Sequence, residues 1–273
     1  MLKKHLRTCL ASLSTPGVRK LLIMAREYRF FTTELDNENL EKNVALSDRC
    51  EAEIFGQMVK VLRIKPGDRV VLMGRDKVEF LYDTVLAHKK EVHLKFISKK
   101  INENELDFNL GLILCLPNKP DKLSMILQKA VELGVSEVIL VSGEYSQMKH
   151  ELKEERLQRI MKEAAEQSER GYVPVLKIDG TLDDFLNGDW VREESANIYV
   201  AMEREDSKGL LDILDSEMEK KEPVNILIGP EGGFSEDEKQ AIKDHQIECF
   251  SLGKRILRME TAAIVALGMA AVR

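Results

Sequence analysis

The spacing of hydrophobic and polar positions changes once along this chain. From Tyr28 to about Ile97 the apolar residues come in short runs divided by turns. YRFF is followed by VLRIKPGDRVVLMG, with Pro66-Gly67-Asp68 as a turn between two β-rich runs, and then by FLYDTVLA and EVHLKFIS. Several short strands at this spacing predict a small β-barrel. The polar stretch KKINENELDFN reads as a linker.

Beyond the linker the helical period takes over. Leu110–Leu116 is a continuous apolar run ending at Pro117. In DKLSMILQKAVELG, residues Leu123, Ile126, Leu127, Ala130, Val131 and Leu133 recur at helical spacing, and Gly134 is the stop. Ser136–Val141, Asn197–Met202, Val224–Ile228 and Glu248–Leu252 read as strands. Leu152–Ser168 reads as a helix with a charged face, and further helices fall between the later strands. Strand and helix in alternation predict an α/β fold with a parallel sheet. There is no internal repeat.

Composition narrows the class. With 273 residues, 44% hydrophobic and 32% charged, the chain buries a real core and makes one large or two modest domains. No apolar run approaches the ~20 residues of a membrane helix. Cys9, Cys50, Cys115 and Cys249 lie far apart with no CxxC, so neither a disulfide framework nor a zinc ribbon is expected, and reducing cytoplasm is the expected location.

The net charge of −6 hides a gradient. Residues 1–23 carry five Lys/Arg and no acid. Residues 24–100 carry 15 Lys/Arg against 13 Asp/Glu, and residues 101–273 carry 21 against 34. An acidic total argues against nucleic acid, but a phosphate backbone responds to a local patch. Residues 1–23 read as an extension outside the fold, with Met24 as the natural beginning. Their basic, acid-free composition is also that of an organellar transit peptide.

The richest chemistry lies near the end. In ILIGPEGGFSEDEKQAI an apolar strand runs into Gly229-Pro230-Glu231-Gly232-Gly233, and a helix then starts at Ser235 with Glu238 completing a capping box. Glycines at the carboxyl end of a parallel strand let backbone approach a ligand closely. The pattern is neither G-x-G-x-x-G nor a Walker loop. A second strand ends at Leu252-Gly253. A loop bearing Lys254, Arg255 and Arg258 follows and leads into a nearly all-apolar helix, which needs burial in a core or an interface. His5, His88, His93, His150 and His245 lack metal-ligand spacing, and no GxSxG elbow is present, so no metal is expected.

QKAVELGV, EAAEQSERGYVP, IGPEGGFSEDE and LGKRILRMETA, in this order, resemble the bacterial ribosomal RNA small subunit methyltransferase E family over roughly residues 26–273. The resemblance implies a PUA-like RNA-binding barrel over 24–100 and a SPOUT-type domain with a trefoil knot over 101–273. It implies S-adenosylmethionine-dependent methylation of N3 of one uridine in 16S ribosomal RNA, by a homodimer. The chain departs from the family pattern near Gln57, at MGRDKVEF and at Gly143-Glu144-Tyr145-Ser146.

By this resemblance the cofactor is held by Met202, Glu203, Ile228, Gly229, Pro230, Glu231, Gly232, Leu252, Gly253, Arg255, Ile256, Leu257 and Thr261. Arg258 and Arg170 are the catalytic candidates, as cations facing an ionised uracil. Arg26, Arg29, Arg63, Lys65 and Lys254 are expected to hold RNA phosphates. The base that removes the N3 proton is not identifiable from the sequence. The competing readings are another SPOUT methyltransferase, acting on transfer RNA or a ribose 2′-hydroxyl, and a non-catalytic ribosome-assembly RNA-binding protein.

Overall fold

A computed structural model describes residues 27–147, 152–193, 197–202, 208–217 and 222–272. It divides into two units. One runs up to Arg75 and resumes over Glu79–Lys100, and the other takes Asp76–Val78 and everything from Ile101. The extension 1–23 lies outside the described residues.

The first unit is a five-stranded sheet in the order β1-β3-β4-β5-β2, built from β1 (Glu27–Phe31), β2 (Val44–Ser47), β3 (Arg69–Met73), β4 (Val78–Ala87) and β5 (Glu91–Ile101). β1 runs parallel to β3, β3 antiparallel to β4, and β2 antiparallel to β5. Among the described residues the sheet thus has two edges, β1 and β2, and no pairing that closes it into a barrel. Its inward face buries Phe30, Leu46, Val70, Leu72, Phe80, Tyr82 and Leu94. Two helical segments complete the unit, α1 (Asn37–Leu40) and α2 (Ala52–Gly56), the latter continuing as a π-helical turn over Gln57–Leu62. Glu51 is buried, and its carboxylate accepts the backbone N–H groups of Thr33, Glu34 and Leu35 at 2.8–3.2 Å.

VLRI is therefore not a strand. Ile54, Phe55 and Met58 are buried at helical spacing, so the helix carries the chain through Val61 and Leu62, whose β-branched and apolar side chains stay exposed. The polar stretch is not a free linker either. Its first residues extend β5, and the Asn102 and Asn104 amides donate to the Glu169 carbonyl at 2.9 and 3.0 Å.

The second unit holds a six-stranded, all-parallel sheet in the order β11-β9-β10-β6-β7-β8. Its strands are β6 (Leu110–Cys115), β7 (Glu137–Ser142), β8 (Val175–Thr181), β9 (Ile198–Ala201), β10 (Val224–Ile228) and β11 (Glu248–Phe250). Every residue of β6 and β10 is buried, as expected for central strands covered on both faces. β8 escaped the sequence reading because six of its seven residues are exposed and the apolar signal is weak.

The helices are α3 (Pro120–Glu132), α4 (Glu154–Gln167), α5 (Leu182–Asn187), α6 (Asp189–Glu193), α7 (Leu210–Glu217), α8 (Glu236–Asp244) and α9 (Met259–Ala271). α9, apolar all round in sequence, buries Met259, Ala263, Ala266, Leu267 and Ala270 and leaves Val265 exposed. Among the described residues no helix is long and apolar enough to cross a membrane.

The chain passes from β8 at one edge to β9 on the far side of β6, and β10 then fills the place between them. Strand order reverses there. Open α/β sheets bind ligands at such a point, beyond the carboxyl ends of the strands.

Candidate functional site at the carboxyl ends of three strands

A cavity of about 1160 Å³ opens where β9, β10 and β11 end. Its walls are the loop after β10 (Ile228 to Phe234), the loop after β11 (Ser251 to Arg258), Met202 after β9, and the first turn of α9. Lys122 of α3 and Lys239 of α8 complete the rim.

The β10 loop is shaped by its glycines. The Gly233 N–H donates to the Pro230 carbonyl at 2.9 Å and closes a turn. A Cβ on Gly229 would stand 2.8 Å from the Phe234 ring, and one on Gly232 would stand 2.9 Å from Tyr145 Cβ. Gly233 and Gly253 have φ of +76° and +100°, a backbone that side chains other than glycine disfavour, and open space lies before both. These two positions form a cradle of bare backbone. Apolar Met202, Ile228, Leu252, Ile256 and Leu257 surround it, a lining suited to a flat, uncharged ring.

The loop is then tied down. Glu231 accepts from Lys122 Nζ at 2.7 Å and from the Asn118 N–H at 3.1 and 3.2 Å. Burial pushes the Glu231 carboxyl upward. The hydrogen bonds from Lys122, the Asn118 N–H and its own N–H, with the ammonium charge, outweigh that and hold it below the usual glutamate range. Downstream, Ser235 and Glu238 form the expected capping box, and Glu238 Oε1 also accepts the Glu144 N–H at 2.8 Å. One carboxylate thus joins the start of α8 to the loop after β7.

Most of the cofactor candidates converge. Met202, Ile228, Gly229, Pro230, Glu231, Gly232, Leu252, Gly253, Arg255, Ile256 and Leu257 all line the cavity. Thr261 does not: it lies in the first turn of α9 between the lining residues Glu260 and Ala262, and is exposed. Glu203 lies outside the described residues.

Arg258 also lines the cavity, as the N-cap residue of α9. Its guanidinium is exposed and makes no ion pair among the described residues. Arg170 is elsewhere. It is 4% exposed and pairs with Glu105 at 2.6 Å, while Nη1 donates to the carbonyls of Val131 (3.1 Å) and Val135 (2.6 Å). Glu105 also accepts the Gly171 N–H at 2.7 Å. The SERGYVP segment thus clamps the end of α3, and Arg170 has no donor directed at the cavity.

The RNA candidates separate likewise. Arg29 is tied to Glu79 at 2.9 Å and Glu27 at 3.1 Å and is almost buried. Arg63 and Lys65 are exposed beside the Pro66-Gly67 turn with no side-chain partner among the described residues, and Lys254 lines the cavity. Arg26 lies outside the described residues. Sequence reasoning missed Lys122, Phe234 and Glu260 in the lining. Glu260 stands within the LRMETA motif but carries no spacing signal of its own.

A family model described as an RNA methyltransferase domain matches residues 104–271. The ribosomal RNA small subunit methyltransferase E of Bacillus subtilis is 30% identical over 247 residues, covering 88% of this chain and 94% of that protein. Its counterpart in Rickettsia conorii is 30% identical over 211 residues, covering 76% and 82%. The crystal structure of the Neisseria gonorrhoeae enzyme bound to S-adenosyl methionine superposes with a TM-score of 0.74 at 26% identity, over 89% of this chain and 95% of that one. A parallel sheet whose glycine-marked strand ends enclose the cavity, a domain match across that sheet, and near-full-length relatives agree, and the chain belongs to the ribosomal RNA small subunit methyltransferase E family.

Proposed function

We propose that the chain transfers a methyl group from S-adenosylmethionine to N3 of a specific uridine in 16S ribosomal RNA. The observation that carries this reading is the cavity at the ends of β9, β10 and β11, with its bare backbone cradle and its unpaired Arg258. The cradle fits the cofactor, since the adenine edge pairs with backbone N–H and C=O groups while apolar side chains cover the ring faces. S-adenosylmethionine supplies an electrophilic methyl group on sulfur, so the protein's task is positioning and charge control.

The residues divide that task. The β10 loop, held by Glu231 and Lys122, and the β11 loop grip the cofactor. Arg258 faces the base and stabilises negative charge as N3 loses its proton. Arg63 and Lys65, with Lys254 at the cavity, meet phosphates, and the target uridine is unpaired or flipped to enter. The first unit then acts as the PUA-like RNA reader and the second as a SPOUT domain with a trefoil knot. The chain works as a cytoplasmic homodimer, with α9 and its exposed Val265 at the interface.

The test is nucleoside mass spectrometry of small-subunit RNA after incubation with protein and S-adenosylmethionine. N3-methyluridine is the expected product. A 2′-O-methyl nucleoside, or product only in transfer RNA, would move the chain to another methyltransferase class. No product together with no S-adenosylhomocysteine binding would leave an RNA-binding scaffold.

A further inference from the structure

The proposed reaction leaves one role without a residue, the acceptor for the uracil N3 proton. Among the described residues the cavity lining contains two carboxylates, Glu231 and Glu260, and no histidine, cysteine or tyrosine. Glu231 is committed, through the Lys122 ammonium and the Asn118 N–H.

Glu260 differs. It lines the cavity from the first turn of α9, two residues after Arg258, and its buried Oε2 has no hydrogen-bond partner among the described residues. A buried carboxylate oxygen without a donor is unfavourable, and a turn of the Glu260 side chain into the cavity that it lines lets a ligand bring that donor. The N–H of a uracil entering the same cavity is such a donor.

Resting on the functional reading above, we propose that Glu260 is the general base that takes the N3 proton. Glu260 Oε2 bonds the proton, and the N–H pair stays on nitrogen with its charge spread onto the flanking carbonyl oxygens. Arg258 faces that charge from the same end of α9. The N3 pair forms the bond to the methyl carbon while the carbon–sulfur pair leaves with sulfur, and the proton passes from Glu260 to water. The other charged groups around the cavity are cations or paired: Lys122 with Glu231, Lys239 with Glu236, and Lys254 and Arg255 on the β11 loop.

Glu260→Gln keeps the shape and removes the proton acceptor. S-adenosylhomocysteine, followed by calorimetry, should bind E260Q within about threefold of the unaltered protein. Single-turnover methylation of small ribosomal subunits lacking the modification should fall by ~10²–10⁴-fold. The remaining rate should climb in proportion to hydroxide, where the unaltered protein shows a plateau, and Glu260→Asp should recover part of the rate with the plateau restored.

An E260Q protein with the original rate and pH profile would overturn the proposal. So would equal losses of rate and S-adenosylhomocysteine affinity, which would make Glu260 a cofactor ligand. If E260Q does not fold, an unchanged rate and pH profile in Glu260→Ala, which has no proton acceptor, overturns it equally. Failure of the unaltered protein to form N3-methyluridine would refute the functional reading itself, and that assay comes first.

Discussion

Glu231, on the loop after β10, and Lys122, on α3, meet at 2.7 Å across the rim of the cavity. The pair holds a glycine-rich loop that has few other means of keeping its shape. The Glu231 carboxyl sits below its ordinary value of 4.5 in the folded protein, so its contribution is fully present above that value and is lost as pH falls through the lower, folded one.

S-adenosylhomocysteine affinity should therefore decline in acid as Glu231 protonates. Glu231→Gln should remove that decline and weaken binding near neutrality by about two- to fivefold, the ~0.5–1 kcal/mol of a solvent-screened ion pair. Lys122→Met should do the same at neutrality, and the double variant should lose no more than either single one. Calorimetric titration across pH checks all three.

Arg170 should matter to the fold rather than to the chemistry. Arg170→Ala leaves the Glu105 carboxylate buried without its cation and takes the guanidinium donor from the Val135 carbonyl, while Val131 keeps the Gly134 N–H, and should cost ~3–5 kcal/mol in urea unfolding. The protein that remains folded should bind S-adenosylhomocysteine as before. A variant of normal stability that is inactive would return Arg170 to the catalytic machinery.

Gly253 has φ of +100° beside the cavity, with open space where a side chain would go. Gly253→Ala should therefore act through backbone strain rather than collision. A strain of ~1–3 kcal/mol, relieved by moving the β11 loop, should weaken S-adenosylhomocysteine by about tenfold or more. The urea midpoint should shift little, because the loop is exposed.

Arg63 and Lys65 flank the Pro66-Gly67 turn of the first unit. Replacing both with Glu should weaken RNA binding uniformly across sequences and reduce the salt slope by about two phosphate contacts. S-adenosylhomocysteine binding should be unchanged. Equal loss of both activities would refute the division of labour between the two units.

What was legible followed from how strongly local chemistry dictates conformation. β6 and β10 are buried throughout, and apolar but for Asn225, because both faces are covered, and Ser235 with Glu238 writes a helix start in four residues. VLRI misled because β-branched residues suggest a strand while the burial of Ile54, Phe55 and Met58, several residues earlier, decides for a helix. Arg170 misled for a different reason. A basic residue in a recognisable motif looks chemical until Glu105, 65 positions away, is found beside it. Glu260 had the opposite fate, since an unpartnered oxygen is visible only once its surroundings are folded.

The order of strands also bears on synthesis. β6, β7 and β8 are neighbours in the sheet and successive in the chain, so half of the sheet has its pairing partners while the last third is still being made. The cavity, apart from Lys122, is drawn entirely from residues 201–262. Assembly of the binding site thus waits until well after β6 to β8 are made, and a chain cut short before β9 holds much of the scaffold with no means of gripping its ligand.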